Sequence, residues 1–179
     1  MMSNNIQLIL CVESNNQART DYFYIQSVLD YFYSIKENKL SYIFLGSKHK
    51  YNSKKTIKDI KKRTKDFAQS ANRKSIVIYF LDKDYNNLRT EDKNFIEVVE
   101  KYCLDNEYLL VWFVKNIEEV MLNKEEPNKT KIKKAQTFYR KELIKLIDVD
   151  RLNAPNDVNT AGKSNILTIL NSIKEIKRF

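Results

Sequence analysis

Three carboxylates stand where long apolar runs stop: Glu13 after IQLILCV, and Asp82 and Asp84 after SIVIYFL. Alternate residues of an extended segment point to the same side, so the Asp82-Lys83-Asp84 spacing lets both aspartates face one point. Two more acids, Glu118 and Glu119, follow the apolar run YLLVWFV. Acids gathered at one edge repel each other unless a cation neutralises them, and an all-oxygen donor set suits Mg²⁺ or Mn²⁺. Lys83 and Lys115, beside these acids in the chain, are placed to touch a phosphate held there.

A second constellation is basic. Lys48, Lys50, Lys54, Lys55, Lys58, Lys61, Lys62, Arg63 and Lys65 follow one another with Asp59 as the lone interleaved acid. Lys54, Lys58, Lys61 and Lys65 recur at three- and four-residue intervals, which puts them on one face of a helix. A solvated face usually mixes signs, so this one reads as a surface that tracks phosphates, with a salt-dependent affinity for polyanions. Tyr51 and the lysines near it could meet an unpaired base.

Elements able to position these groups are legible in the apolar pattern. Ile6–Val12, 40–45, 75–81 and 108–114 read as strands, the first and third buried on both faces. Between them, 18–35, 56–71 and a segment from Leu88 or Arg89 to Tyr102 carry apolar residues at helical spacing. A short helix over 117–122, a break at 125–129 around Pro127, a helix over 131–147 and a closing helix over 163–177 complete the chain. Strand–helix alternation of this kind predicts an α/β fold: a doubly wound, mostly parallel four-stranded sheet with helices on both faces. Residues 1–124 form the predicted core. Residues 125–179 form a helical C-terminal part packed on it as one compact unit. Ligands of such sheets bind outside the carboxyl ends of the strands, where Glu13, Asp82 and Asp84 fall.

Bulk properties exclude several classes. The 179 residues carry 32 basic and 23 acidic side chains, a net charge of +9, which favours a polyanionic partner such as nucleic acid. With two Gly in the whole chain there is no Gly-rich phosphate loop; Ala161-Gly162-Lys163-Ser164 lacks the earlier Gly that such a loop needs, since Asp157 stands there. That weakens a nucleotide phosphotransferase reading. A single His, His49, argues against His-based metal or triad chemistry. Cys11 and Cys103 lie in apolar stretches and read as free thiols. The first ten residues have neither a basic n-region nor a long apolar h-region, so a cytoplasmic protein with no membrane segment is expected.

A Glu closing the first strand and an Asp-x-Asp closing a later one resemble the Toprim domain, here VES around Glu13 and FLDKDY around Asp82 and Asp84. Within that superfamily the chain is most similar to the standalone RloB/AbiLii-like and AriB-like (OLD-type) proteins of prokaryotic anti-phage defence. The Thr20-Asp21-Tyr22-Phe23 stretch, NIEEVML at 116–122 and NTAGKSNILTIL at 159–170 carry that closer likeness. The resemblance implies a metal-dependent nuclease: Asp82 and Asp84 as ligands of Mg²⁺ or Mn²⁺, and Glu13 as a further ligand or as general acid and base. Glu118, early in its helix, would be an extra carboxylate. Glu119 points about a hundred degrees away on an ideal helix, so one of the two faces the site; acidity at a helix start is also favourable by itself. The implied substrate is RNA, tRNA included, or a single strand. A partner ATPase or other defence component is the implied protein partner; the chain's small size and aromatic content, rather than the resemblance, make a homodimer plausible. Where the family has Gly after the Glu, this chain has Ser14. That departure motivates the alternative, a non-catalytic module of the same fold that binds nucleic acid or a partner.

Overall fold

The computed structural model describes residues 6–35, 39–69, 73–84, 90–124 and 127–179, with 90–92 and 128 by backbone alone. The sequence-based expectations at Tyr85, Leu88, Arg89, Glu125 and Glu126 lie outside the described residues, as do the first five positions.

Four strands, β1 (Ile6–Val12), β2 (Leu40–Phe44), β3 (Lys74–Lys83) and β4 (Leu109–Val114), form one all-parallel sheet in the order β2-β1-β3-β4. The seven residues of β1 are all buried, as an apolar run must be when helices cover both faces of a sheet. Leu8, Leu10, Val12, Ile78, Phe80, Val111 and Phe113 face a core built with α1 (Thr20–Phe32). Further along the chain, α4 (Ile117–Leu122), α5 (Asn128–Arg140) and α6 (Ile166–Asn171) complete that layer. Ile9, Cys11, Val77, Tyr79, Leu81, Trp112 and Val114 face the other core, with Ile60 of α2 (Lys54–Phe67) and Val99 and Cys103 of α3 (Thr90–Asp105). The sheet is therefore doubly wound. The chain leaves β1 towards one edge through α1, and leaves β3 towards the other through α3, on the opposite face. The direction of winding reverses between β1 and β3, where such sheets open a crevice at the carboxyl ends of the strands.

The C-terminal third departs from the predicted helices. α5 stops at Arg140 rather than reaching 147, because Glu142 takes a left-handed backbone (φ 51°) and the chain resumes as a 3-10 turn over Leu143–Leu146. The closing helix is only Ile166–Asn171. Before it, the chain runs along the outer edge of β4: Val114 N–H donates to Lys163 O (2.9 Å), Gly162 N–H to Val114 O (3.1 Å), and Phe113 bridges Ser164 antiparallel. Gly162 has φ +73°, and a Cβ there would meet the Arg151 guanidinium at 3.0 Å, so this turn needs glycine for both reasons. Buried Asn165 imitates a strand residue, accepting the Trp112 amide (2.8 Å) and donating to Leu110 O (3.3 Å). The last residues return to α1, with Phe179 N–H on Phe32 O (3.0 Å). Because α5, α6, Ile173 and Ile176 share one core with β1 and α1, residues 127–179 complete the fold rather than decorate it. Among the described residues no helix is long and apolar enough to cross a membrane.

Candidate functional site

β3 extends two residues further than the apolar pattern indicates and includes Asp82 and Lys83. Alternation along it decides the geometry of the site. Asp82 follows Ile78 and Phe80 onto the α1 face, and Lys83 follows Tyr79 and Leu81 onto the α2–α3 face.

Glu13 lies one residue beyond β1. Val12 pairs with Phe80 in register, so Glu13 arrives beside the end of β3, and its Oε2 accepts the Asp82 amide at 3.2 Å. Asp82 Oδ1 accepts the amide of Ile117, the first residue of α4, at 3.0 Å. Glu118, one residue on, is buried, and its Oε1 lies 3.5 Å from Lys131 Nζ of α5. Glu119 turns aside: it is half-buried, 3.9 Å from Lys115 Nζ, and its amide is capped by Asn116 Oδ1. Asp84 is exposed and forms an ion pair with Lys48 from the β2–α2 connection.

A further acid joins these. Asp21, in the first turn of α1, accepts the Ser14 amide at 2.7 Å through Oδ2 and the Thr20 hydroxyl at 3.2 Å through Oδ1. The sequence reading places it in a motif but does not count it among the site residues. The available signal is an acid opening the helix that leaves the first strand, since that helix starts at the same sheet edge as Glu13. Ser14 itself has none of the positive φ angles found at Arg19, Glu107, Lys115, Asn123 and Glu142, so its departure from glycine costs nothing in backbone strain.

The acids act on one another. Burial raises the Glu13 carboxyl from 4.5 to about 6, and Asp21 and Asp84 add repulsion, while the Asp82 amide and Lys48 pull the other way. Asp82 is held well above the ordinary carboxylate range by burial and then by Glu13, Asp21, Glu118 and Asp84. Asp21 is raised by burial, with Glu118 contributing, against the Ser14 amide. Each is a group that neutralises itself or recruits a positive charge.

The donor chemistry fits a hard divalent cation: the cluster offers only oxygens, and its acids are penalised as anions. The Ser14 hydroxyl beside Glu13 is buried next to the Asp21 carboxyl and adds one more oxygen to this edge. The fit is one of chemistry and charge. Among the described residues no three His, Cys, Asp or Glu side chains close round one point as a finished cage.

Three expected contacts are not made. Lys83 does not approach the acids: its ammonium is buried, donates to Val158 O at 3.0 Å and lies 5.8 Å from the Trp112 ring centroid. Burial lowers its pKa, partly offset by Glu100 and Asp157. Strand alternation, which brings Asp82 to the site, takes Lys83 away. Arg63 does not join the outer basic face either, since its guanidinium bonds the Ser41 hydroxyl on β2 and its carbonyl accepts from Gln7. Lys54, Lys55, Lys58, Lys61, Lys62 and Lys65 lie along α2 on its outer side, all six exposed. Lys115, just past β4, is half-buried beside Glu119. Tyr51 is buried against Phe95 and Tyr102, which leaves its ring no open face on which a base could stack.

Comparison with protein-family models, with curated proteins and with solved structures gave no match.

Proposed function

We propose that this chain is a divalent-metal-dependent nuclease that cleaves phosphodiester bonds in RNA, tRNA included, or in single-stranded nucleic acid. The observation that carries the reading is the Glu13–Asp82 contact across the carboxyl ends of β1 and β3, with Asp21, Asp84 and Glu118 close enough to raise the Asp82 carboxyl. Asp82 and Asp84 would hold Mg²⁺ or Mn²⁺, with Glu13 either a further ligand or, left off the ion, the general acid and base. The resemblance to standalone Toprim proteins of anti-phage defence supports the same assignment and the same cellular setting.

When bound, the metal supplies charge neutralisation and polarises a phosphoryl oxygen. The chain's own groups do the rest. Glu13, raised to about 6, is matched to take up and return a proton near neutral pH. The Asp82 and Ile117 amides fix the orientation of Glu13 and Asp82 respectively. α2 begins beside the acid edge and runs about 20 Å away from it at 1.5 Å per residue, so its outer lysines offer a continuous track for a strand whose scissile phosphate lies at the acids.

The test is incubation with total tRNA and with single- and double-stranded DNA in Mg²⁺, Mn²⁺ or EDTA, beside Asp82→Asn and Glu13→Gln. Cleavage that requires metal and vanishes in both variants is the expected result; cleavage unchanged in either variant overturns the reading. The absence of a closed three-acid cage among the described residues favours a second reading, a binding module without turnover. Folded protein that shifts RNA in a gel and never cleaves it would establish that one.

A further inference from the structure

Lys48 has an unusual position for a surface lysine. In its ion pair with Asp84 the lysine is the hidden partner: its side chain is 11% exposed and that of Asp84 is 54%. Its amine lies 5.4 Å from the Phe95 ring centroid of α3, so an element on the α2–α3 face packs against its head. Its backbone is fixed as well. Lys48 opens a 3-10 turn whose preceding residue, Ser47, caps the His49 amide, and Tyr51 N–H bonds Lys48 O at 3.1 Å. Exposed lysine–carboxylate pairs usually hold two mobile side chains in loose association and contribute little. Here packing and a capped turn deliver one ammonium to the end of β3, and its charge also offsets part of the burial penalty on Glu13.

We infer that Lys48 is the built-in counter-ion of the acid cluster, which a divalent cation must displace on binding. The inference rests on the metal-dependent reading of the site. A fixed ammonium and an incoming dication compete for the same carboxylate charge, so the lysine stabilises the metal-free protein and weakens its hold on metal. A displaced Lys48 stays tethered beside the acids, at the head of the lysine track of α2, where a substrate phosphate is its natural next partner.

The experiment is a titration with Mn²⁺ alone, free ion being read by its EPR signal, on wild type, Lys48→Met and Lys48→Arg, with circular dichroism confirming the fold of each. Met keeps the stem against Phe95 and removes the charge; Arg keeps the charge. Lys48→Met is expected to bind Mn²⁺ at least about fivefold more tightly, the effect of one unit charge at ion-pair distance in bulk water and a lower bound near a surface, and Lys48→Arg to bind like wild type. A lysine that merely braced the loop would weaken binding when replaced. Wild type that binds and Lys48→Met that binds equally or less overturns the counter-ion role alone. No binding by wild type or by any variant overturns the metal reading and this inference together.

Discussion

Asp82 Oδ1 receives the amide of Ile117 at 3.0 Å, so the acid that ends β3 also receives the first turn of α4. Its proposed chemical role and its architectural one reside in one carboxyl group, and substitutions can separate them. Asparagine keeps the accepting oxygen and removes the charge. Asp82→Asn is therefore expected to lose cleavage by about a hundredfold or more while melting, in EDTA, no lower than wild type, because four neighbouring acids lose a repulsive partner. Asp82→Ala loses the Ile117 hydrogen bond too and should cost about 1–2 kcal/mol in the same melts. Equal melting temperatures for the two variants would contradict this division of roles.

The acid cluster sets a pH dependence whose sign is opposite to that of ordinary paired carboxylates. Glu13 is raised from 4.5 to about 6 in the folded chain, and Asp82 is held well above its ordinary range by burial and the neighbouring acids. A carboxyl raised on folding contributes stability that is complete below its unfolded value and lost as pH rises through its folded value. Metal-free protein should thus lose stability between about pH 4.5 and 7, and the Glu13→Gln variant should lose less, by up to about 2 kcal/mol at roughly 1.4 kcal/mol per pKa unit before solvent screening. Denaturant melts of both proteins at about pH 4.5, 6 and 7.5 in EDTA measure the difference; a wild type that gains stability relative to the variant across this window has the sign wrong.

Outer lysines on α2 can be changed without touching the core. Replacing Lys58, Lys61 and Lys65 together by Gln should leave the stability within about 1 kcal/mol of wild type. The slope of log affinity against log salt for a single-stranded oligonucleotide should fall by about 0.7 for each phosphate no longer neutralised. Arg63→Gln makes the converse case. Its guanidinium serves Ser41, so stability should drop and the salt slope should hold.

Lys83 provides a discriminating variant, since its neighbour in sequence is at the site and it is not. Lys83→Met fills the same space against Trp112 and leaves Val158 O without its donor. The expected cost is about 1–2 kcal/mol of stability, with turnover per folded molecule unchanged. A large fall in turnover with stability intact would restore this lysine to the chemistry.

Much of the fold, and the strand-ending acids of the candidate site, are readable from residues alone. Unbroken apolar runs such as IQLILCV mark strands covered on both faces, and the polar residue that stops each run marks the carboxyl edge, which is why Glu13 and Asp82 are legible. Lys83 escapes this logic because β3 continues through residue 83: composition marks where burial becomes tolerable for charge, and backbone pairing with Phe113 and Val114 carries the strand further. Asp21 escapes it because a carboxylate at a helix start has a sufficient local explanation, and only the fold reveals that this start abuts Glu13. At the C-terminus, Leu143, Ile144 and Ile147 keep helical spacing through a backbone reversal at Glu142. Asn165 looks like an ordinary polar cap until its amide is found bonded along β4.

The sealing of β4 by residues 162–165 has a consequence for assembly. A sheet with two bare edges can be extended indefinitely, chain upon chain, into a fibre. Here one edge is already occupied by the molecule's own C-terminal segment, and among the described residues no strand pairs with the outer side of β2. Strand addition at that single remaining edge uses it up in both partners at once, so association by this route stops at a closed pair and cannot polymerise.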